Sequence, residues 1–189
     1  FATNHSHINH YIDMTTIKCR QVAAQEAAKI IVKEYRSSTP VDTIVCMDGC
    51  ETIGAYLAQE LTDAGIMSLN AHQSIYVVTP EFNSVGQMIF RDNLQPMVRN
   101  KHIILLLASA TTGRTIERSL ECIEYYGGIV EGISALFSAT NKISGREIQS
   151  VFHVSDLPSY NTYPHNACPL CQNGEPIEAI VNSYGYSKL

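Results

Sequence analysis

Residues 105–120 read LLLASATTGRTIERSL. An apolar strand runs into Thr111-Thr112-Gly113-Arg114-Thr115, and a helix with Ile116, Leu120 and Ile123 on one face follows. A strand, a short hydroxyl-and-glycine turn and a helix N-terminus make an anion site. The first helical turn leaves N–H groups without intrahelical partners, the helix dipole adds partial positive charge, and threonine hydroxyls are further donors. Candidate phosphate contacts are Ser109, Ala110, Thr111, Thr112, Gly113, Arg114 and Thr115. The same pattern suits an ordinary strand-to-helix turn in which Thr111 or Thr112 is an N-cap. Arg114 then is a solvated arginine, and Ser109 fills a small space beside Ala108 and Ala110.

Outward from this stretch, helix and strand alternate. Ala24, Ala27, Ala28, Ile31 and Tyr35 fall at helical spacing, and 43–47 is an apolar, β-branched strand. Ile53, Leu57, Leu61 and Ala64 form a second helical face that stops at Gly65. Residues 74–79 and 86–90 read as a hairpin around a turn at 80–85. The central strand is 103–107, and the helix from Gly113 stops at Gly127-Gly128. Strands at 129–136 and 151–154 complete the set. This alternation predicts an α/β fold, a mostly parallel sheet flanked by helices. Ligands of such sheets sit beyond the carboxyl ends of the strands, where 111–115 falls.

Composition narrows the functional classes. The 189 residues are 45% hydrophobic and 16% charged, as a folded domain is and a disordered chain is not. No apolar run reaches the roughly 20 residues of a membrane helix. The opening carries no signal-peptide pattern, and because it starts at Phe1 a missing N-terminus is expected. A net charge of −5 argues against a nucleic-acid surface. A polyanionic small ligand must then rely on backbone donors, a few placed cations or a metal ion.

The strand at 103–106 with the Thr-Thr-Gly-x-Thr loop at 111–115 resembles the fingerprint of the type I phosphoribosyltransferases, most of all the orotate branch. That family joins a base to phosphoribosyl pyrophosphate. The opening FATNHSHINHYIDM is similar to the branch's opening segment at Phe1, Tyr11 and Asp13, and VFHVSDL at 151–157 resembles its closing strand. The turn Met47-Asp48-Gly49-Cys50-Glu51 sits where the family places its pyrophosphate loop. The resemblance implies a phosphoribosyltransferase-like domain at 1–157, a C-terminal extension at 158–189, magnesium accompanying the ligand, and a homodimer.

Departures from the pattern bear on activity. The family's two acidic residues align with Leu107 and Ala108, so two charge-assisted hydrogen bonds to the ribose hydroxyls are lost, ~1.5–3 kcal/mol each. On that basis Leu107→Asp with Ala108→Asp should tighten ligand binding. The family's basic mobile loop corresponds to 79–93, where Arg91 is the cation present. Asn4 stands for an expected lysine, and Phe137 and Ser138 stand where the orotate-binding arginine belongs. Asp48 and Glu51 make the pyrophosphate loop acidic. They either carry a bridging Mg²⁺ or keep that loop away from pyrophosphate, and the second reading is preferred. Cys50 suits a nucleophile or, better, a small packed hydrophobe.

A second constellation closes the chain. His165, Cys168 and Cys171 frame a CPLC pair, and Gly174 permits a knuckle. The candidate is a structural Zn²⁺ site with a fourth ligand from Cys46, Cys50, Cys122, His153, His5, His7, His10 or a dimer partner. A redox pair and two plain thiols are the alternatives. Six cysteines without a signal favour a reducing cytoplasm. The histidines of the opening run share a face if extended, which suits a weak metal site. Tyr184 and Tyr186 suit a subunit contact or plain surface. Function divides into an enzyme of nucleotide synthesis or salvage and a non-catalytic module sensing a nucleotide or phosphoribosyl pyrophosphate.

Overall fold

The computed structural model describes residues 6–35, 38–63, 68–71, 73–84 and 86–189. In chain order its elements are β1 (Ser6–Ile8), α1 (Thr15–Cys19), α2 (Gln21–Ile31), β2 (Thr43–Cys46), α3 (Glu51–Thr62), β3 (Tyr76–Val78), β4 (Glu81–Phe82) and β5 (Met88–Ile89). There follow β6 (His102–Ala110), α4 (Arg114–Tyr125), β7 (Ile129–Ser138), β8 (Lys142–Ile143), β9 (Arg146–His153), β10 (Thr162–Pro164), α5 (Pro169–Gln172), β11 (Ala179–Asn182) and β12 (Gly185–Lys188).

The central sheet has the order β3-β2-β6-β7-β9-β8. Its first five members in that order run parallel, and β8 is the antiparallel edge. This is the expected α/β architecture. β6 is its middle strand, and Ile103 to Ala108 are all buried, as a strand covered on both faces must be. Alternate residues feed two cores. Ile104, Leu106 and Ala108 pack with α2, α3 and Phe137, whereas Ile103, Leu105 and Leu107 pack with α4, Met88 and Phe90. The helical faces read from spacing are the buried ones: Ala24, Ala27, Ala28 and Ile31 on α2, Ile53, Leu57 and Leu61 on α3, and Ile116, Leu120 and Ile123 on α4. Ala64, Gly65 and Val85, which bore on predicted boundaries, lie outside the described residues.

Three assignments change. The run at 74–79 is not one arm of a hairpin; β3 lies parallel to β2, with the Tyr76 N–H donating to the Asp42 carbonyl. Pro80 has no N–H to continue that ladder. The hairpin pairs β4 with β5, so Glu81 and Phe82 are strand where a turn was predicted. Residues 151–153 of the predicted short strand are the end of the longer β9, which begins after a β8–β9 turn with Ser144 and Gly145 both at positive φ, and Val154 opens a 3-10 turn. A Ser-Gly dipeptide between Ile143 and Arg146 was the available signal.

The extension from 158 onward packs on the start of the chain. β10 pairs with β1, setting His7 opposite Tyr163. The Tyr186 ring lies 5.5 Å from that of Tyr11, and Tyr184 and Tyr186 are both exposed.

Candidate phosphate site and the tail beside it

The turn after β6 is built around Gly113, the N-cap of α4, at φ +76. L side chains rarely adopt that conformation. A Cβ there would also stand 1.9 Å from Ile143 Cδ1. Glycine thus lets β8 close against the turn while the chain reverses into the helix. Neither Thr111 nor Thr112 caps α4 with its side chain. Ala110 and Gly113 are buried, Thr111 is half-buried, and Ser109, Thr112, Arg114 and Thr115 are exposed. Backbone fixed from beneath, with hydroxyls and a helix N-terminus facing solvent, is geometry that can receive a phosphoryl oxygen.

Leu107 and Ala108 are 1% and 2% exposed. They are core residues, on opposite faces of β6. Phe137 and Ser138 are likewise buried on β7, and Phe137 packs edge-on against Tyr160. Arg91 gives Nε and Nη2 to the Glu81 carboxylate at 2.8 Å, so the cation of the hairpin is spent inside the hairpin.

The turn after β2 is closed. Asp48 takes a left-handed φ of +58 and Gly49 follows at +77. Burial pushes the Asp48 carboxyl above the ordinary carboxylate range; hydrogen bonds from the Ser183 side chain and the Ala108 backbone, and the Lys18 charge, oppose that rise. Lys18 itself is buried and donates from Nζ to the carbonyls of Asp48 at 2.8 Å and Ser183 at 2.9 Å. Glu51 accepts from Thr79 Oγ1 at 2.9 Å. Cys50 is fully buried, and its thiol is pushed up to about 12 chiefly by that burial. It packs in the core as a small hydrophobe.

Beside the end of β6, under the 179–183 segment, lies a cavity of ≈ 80 Å³ lined by Ser109, Thr111, Phe137, Asn182 and Ser183 among others. Nucleotide-sized ligands occupy roughly 300 Å³ or more. The β11–β12 hairpin therefore fills the space beyond β2 and β6. A wider groove of ≈ 590 Å³ flanks the other side of the cradle, with Thr115, Arg118, Cys122 and Phe82 in its wall.

In the tail, Gly174 adopts φ +79 and its N–H donates to the Cys171 carbonyl at 3.1 Å. The metal-capable group of three among the described residues is His7, Cys168 and Cys171, whose donor atoms all lie within 4.8 Å of one another. His165 is not in that group; it sits one turn earlier, after β10, and His7 from β1 takes its place. His5, Asn4 and Phe1 lie outside the described residues. Lys18 and Ser183 were missed from sequence. A lone lysine on a short helix and a serine in a polar tail carry no local signal; only the fold brings them to Asp48.

No family model matches the chain. Among curated relatives, the orotate phosphoribosyltransferase of Thermus thermophilus is 31% identical over 71 residues, 37% of this chain and 37% of that protein. The matched stretch thus spans little more than a third of the relative. Solved structures resemble about three quarters of the chain. The orotate phosphoribosyltransferase of Mycobacterium tuberculosis, in complex with 5-phospho-alpha-D-ribosyl 1-diphosphate, superposes with a TM-score of 0.57 at 13% identity, over 78% of this chain and 82% of that one. An adenine phosphoribosyltransferase from Thermoanaerobacter pseudethanolicus gives 0.55 at 20% identity, over 76% and 87%. The fold is that of the type I phosphoribosyltransferases, with a cysteine-bearing C-terminal segment added. Among the described residues, no helix is long and apolar enough to cross a membrane.

Proposed function

We propose that the chain is a phosphoribosyltransferase-like protein of nucleotide synthesis or salvage, binding phosphoribosyl pyrophosphate or a nucleoside monophosphate through residues 109–115. The observation that carries this reading is the Gly113 turn, packed on Ile143 beneath and open above, at the carboxyl end of the central strand. The 5′-phosphate accepts from first-turn N–H groups and from the hydroxyls of Ser109, Thr111, Thr112 and Thr115, with Arg114 as the adjoining cation. Mg²⁺ travels with the ligand, the base is a pyrimidine by likeness to the orotate branch, and the protein acts as a cytoplasmic homodimer. The segment at 158–189 is a structural addition packed on the start of the chain, and its CPLC turn carries zinc.

A second reading is favoured by specific observations. Leu107 and Ala108 are apolar and buried, Arg91 is paired with Glu81, and the Asp48 loop is filled by the tail. These suit a module that senses the ligand without transferring phosphoribose. The two are separated by incubating the protein with phosphoribosyl pyrophosphate, Mg²⁺ and orotate, uracil or adenine, and following pyrophosphate. Release with one base supports the enzyme; bound ligand without release supports the sensor.

A further inference from the structure

We propose that His7, Cys168 and Cys171 hold one zinc-class ion that fastens the first strand of the chain to its last segment. Cys171 and His7 are 164 positions apart, yet Cys171 Sγ lies 3.2 Å from His7 Nδ1. Pairing of β1 with β10 brings this about, because it sets His7 beside the strand that leads directly into the CPLC turn. Ligand atoms around a tetrahedral zinc stand roughly 3.5–3.8 Å apart, given Zn–S near 2.3 Å and Zn–N near 2.0–2.1 Å. The observed separations, from 3.2 Å to within 4.8 Å, bracket that value, so a bound ion needs only small side-chain adjustment.

The donor set selects the metal. Two thiolates and an imidazole suit zinc and exclude the oxygen-seeking Mg²⁺ and Ca²⁺. An imidazole against the thiol pair also distinguishes this cluster from a bare CxxC redox pair. Cys168 is 2% exposed and Cys171 is exposed, so the ion is held from one side. Its fourth position opens on a cleft of ≈ 310 Å³, where water completes the shell. Because the ligands come from both ends of the chain, binding free energy becomes stability of the β1–β10 junction. The assignment is independent of the phosphate reading.

The test uses the full chain, stripped with chelator and titrated with Zn²⁺ against a chromophoric competitor, and with Co²⁺ to read thiolate charge-transfer bands. One equivalent should bind with a tetrahedral cobalt spectrum. His7→Ala should weaken zinc by about tenfold or more, whereas His165→Ala should leave it unchanged. The metal-free melting curve of His7→Ala, compared with that of metal-free wild type, shows that the variant folds. No thiolate band on Co²⁺ addition, or equal affinity in His7→Ala and wild type, overturns the proposal. So does loss of zinc in His165→Ala alone.

Discussion

Two turns leave the carboxyl ends of adjacent parallel strands and lead into helices: 47–51 after β2 and 111–113 after β6. Both need left-handed backbone, at Asp48 and Gly49 in the first and at Gly113 in the second. Their chemistry is opposite. The β6 turn presents hydroxyls and a helix start to solvent. The β2 turn is acidic and partly buried, and its carboxylate and carbonyl are already engaged by Ser183, Ala108 and Lys18. In one sheet, then, one turn stands open to solvent while its neighbour has become an internal polar junction. The same topology supports ligand binding or packing, depending on whether side chains elsewhere consume the turn's donors and acceptors.

The largest expected effect bears on the wall between the turns. Leu107→Asp with Ala108→Asp was expected from sequence to tighten ligand binding, but both positions are core. Burying each unpaired carboxylate should cost on the order of several kcal/mol, so the double variant should unfold at much lower urea than wild type. A wild-type urea midpoint would contradict the apolar wall. Next, removing residues 179–189 should open the ≈ 80 Å³ cavity and release Lys18. Affinity for phosphoribosyl pyrophosphate should then rise about tenfold, ~1.4 kcal/mol. Unchanged affinity by calorimetry would mean that the tail does not compete with the ligand.

Gly113→Ala sharpens the comparison from the open side. Placing a Cβ at φ +76 should cost about 1–2 kcal/mol in stability, with Ile143 forced to move. A melt identical to wild type would show that the turn tolerates any residue. The smallest effect concerns Asp48. Its folded-state value is raised, so the folded state holds the proton more tightly than the unfolded chain does. The stability this contributes is present below the ordinary carboxylate range and lost as pH rises through the raised value. Asp48→Asn, which also tolerates left-handed backbone, should therefore gain on wild type as pH increases across that window. Parallel stability curves for the two proteins would contradict the burial argument.

The sheet and its helices were legible because β6 is a continuous apolar run, buried on both faces, and α2, α3 and α4 carry apolar periodicity whose picked residues are the buried ones. The Gly113 turn was legible for the same reason, as a glycine between a strand and a helix. Less visible was the use of long-range contacts. His7 differs locally in nothing from His5 or His10, and only strand pairing singles it out against Cys171. Lys18 and Ser183 reach Asp48 through tertiary packing alone. The β4–β5 hairpin was misplaced by a few residues because Pro80 ends β3 without ending extended structure.

The most direct test of the account is calorimetric titration of the full chain with phosphoribosyl pyrophosphate and nucleoside monophosphates, beside the same nucleosides lacking phosphate. Saturable binding of the phosphorylated ligands, absent for the bare nucleosides and weakened in Gly113→Ala, is the predicted result. No heat from any phosphorylated ligand would contradict the claim that the turn at Gly113 receives a phosphoryl group.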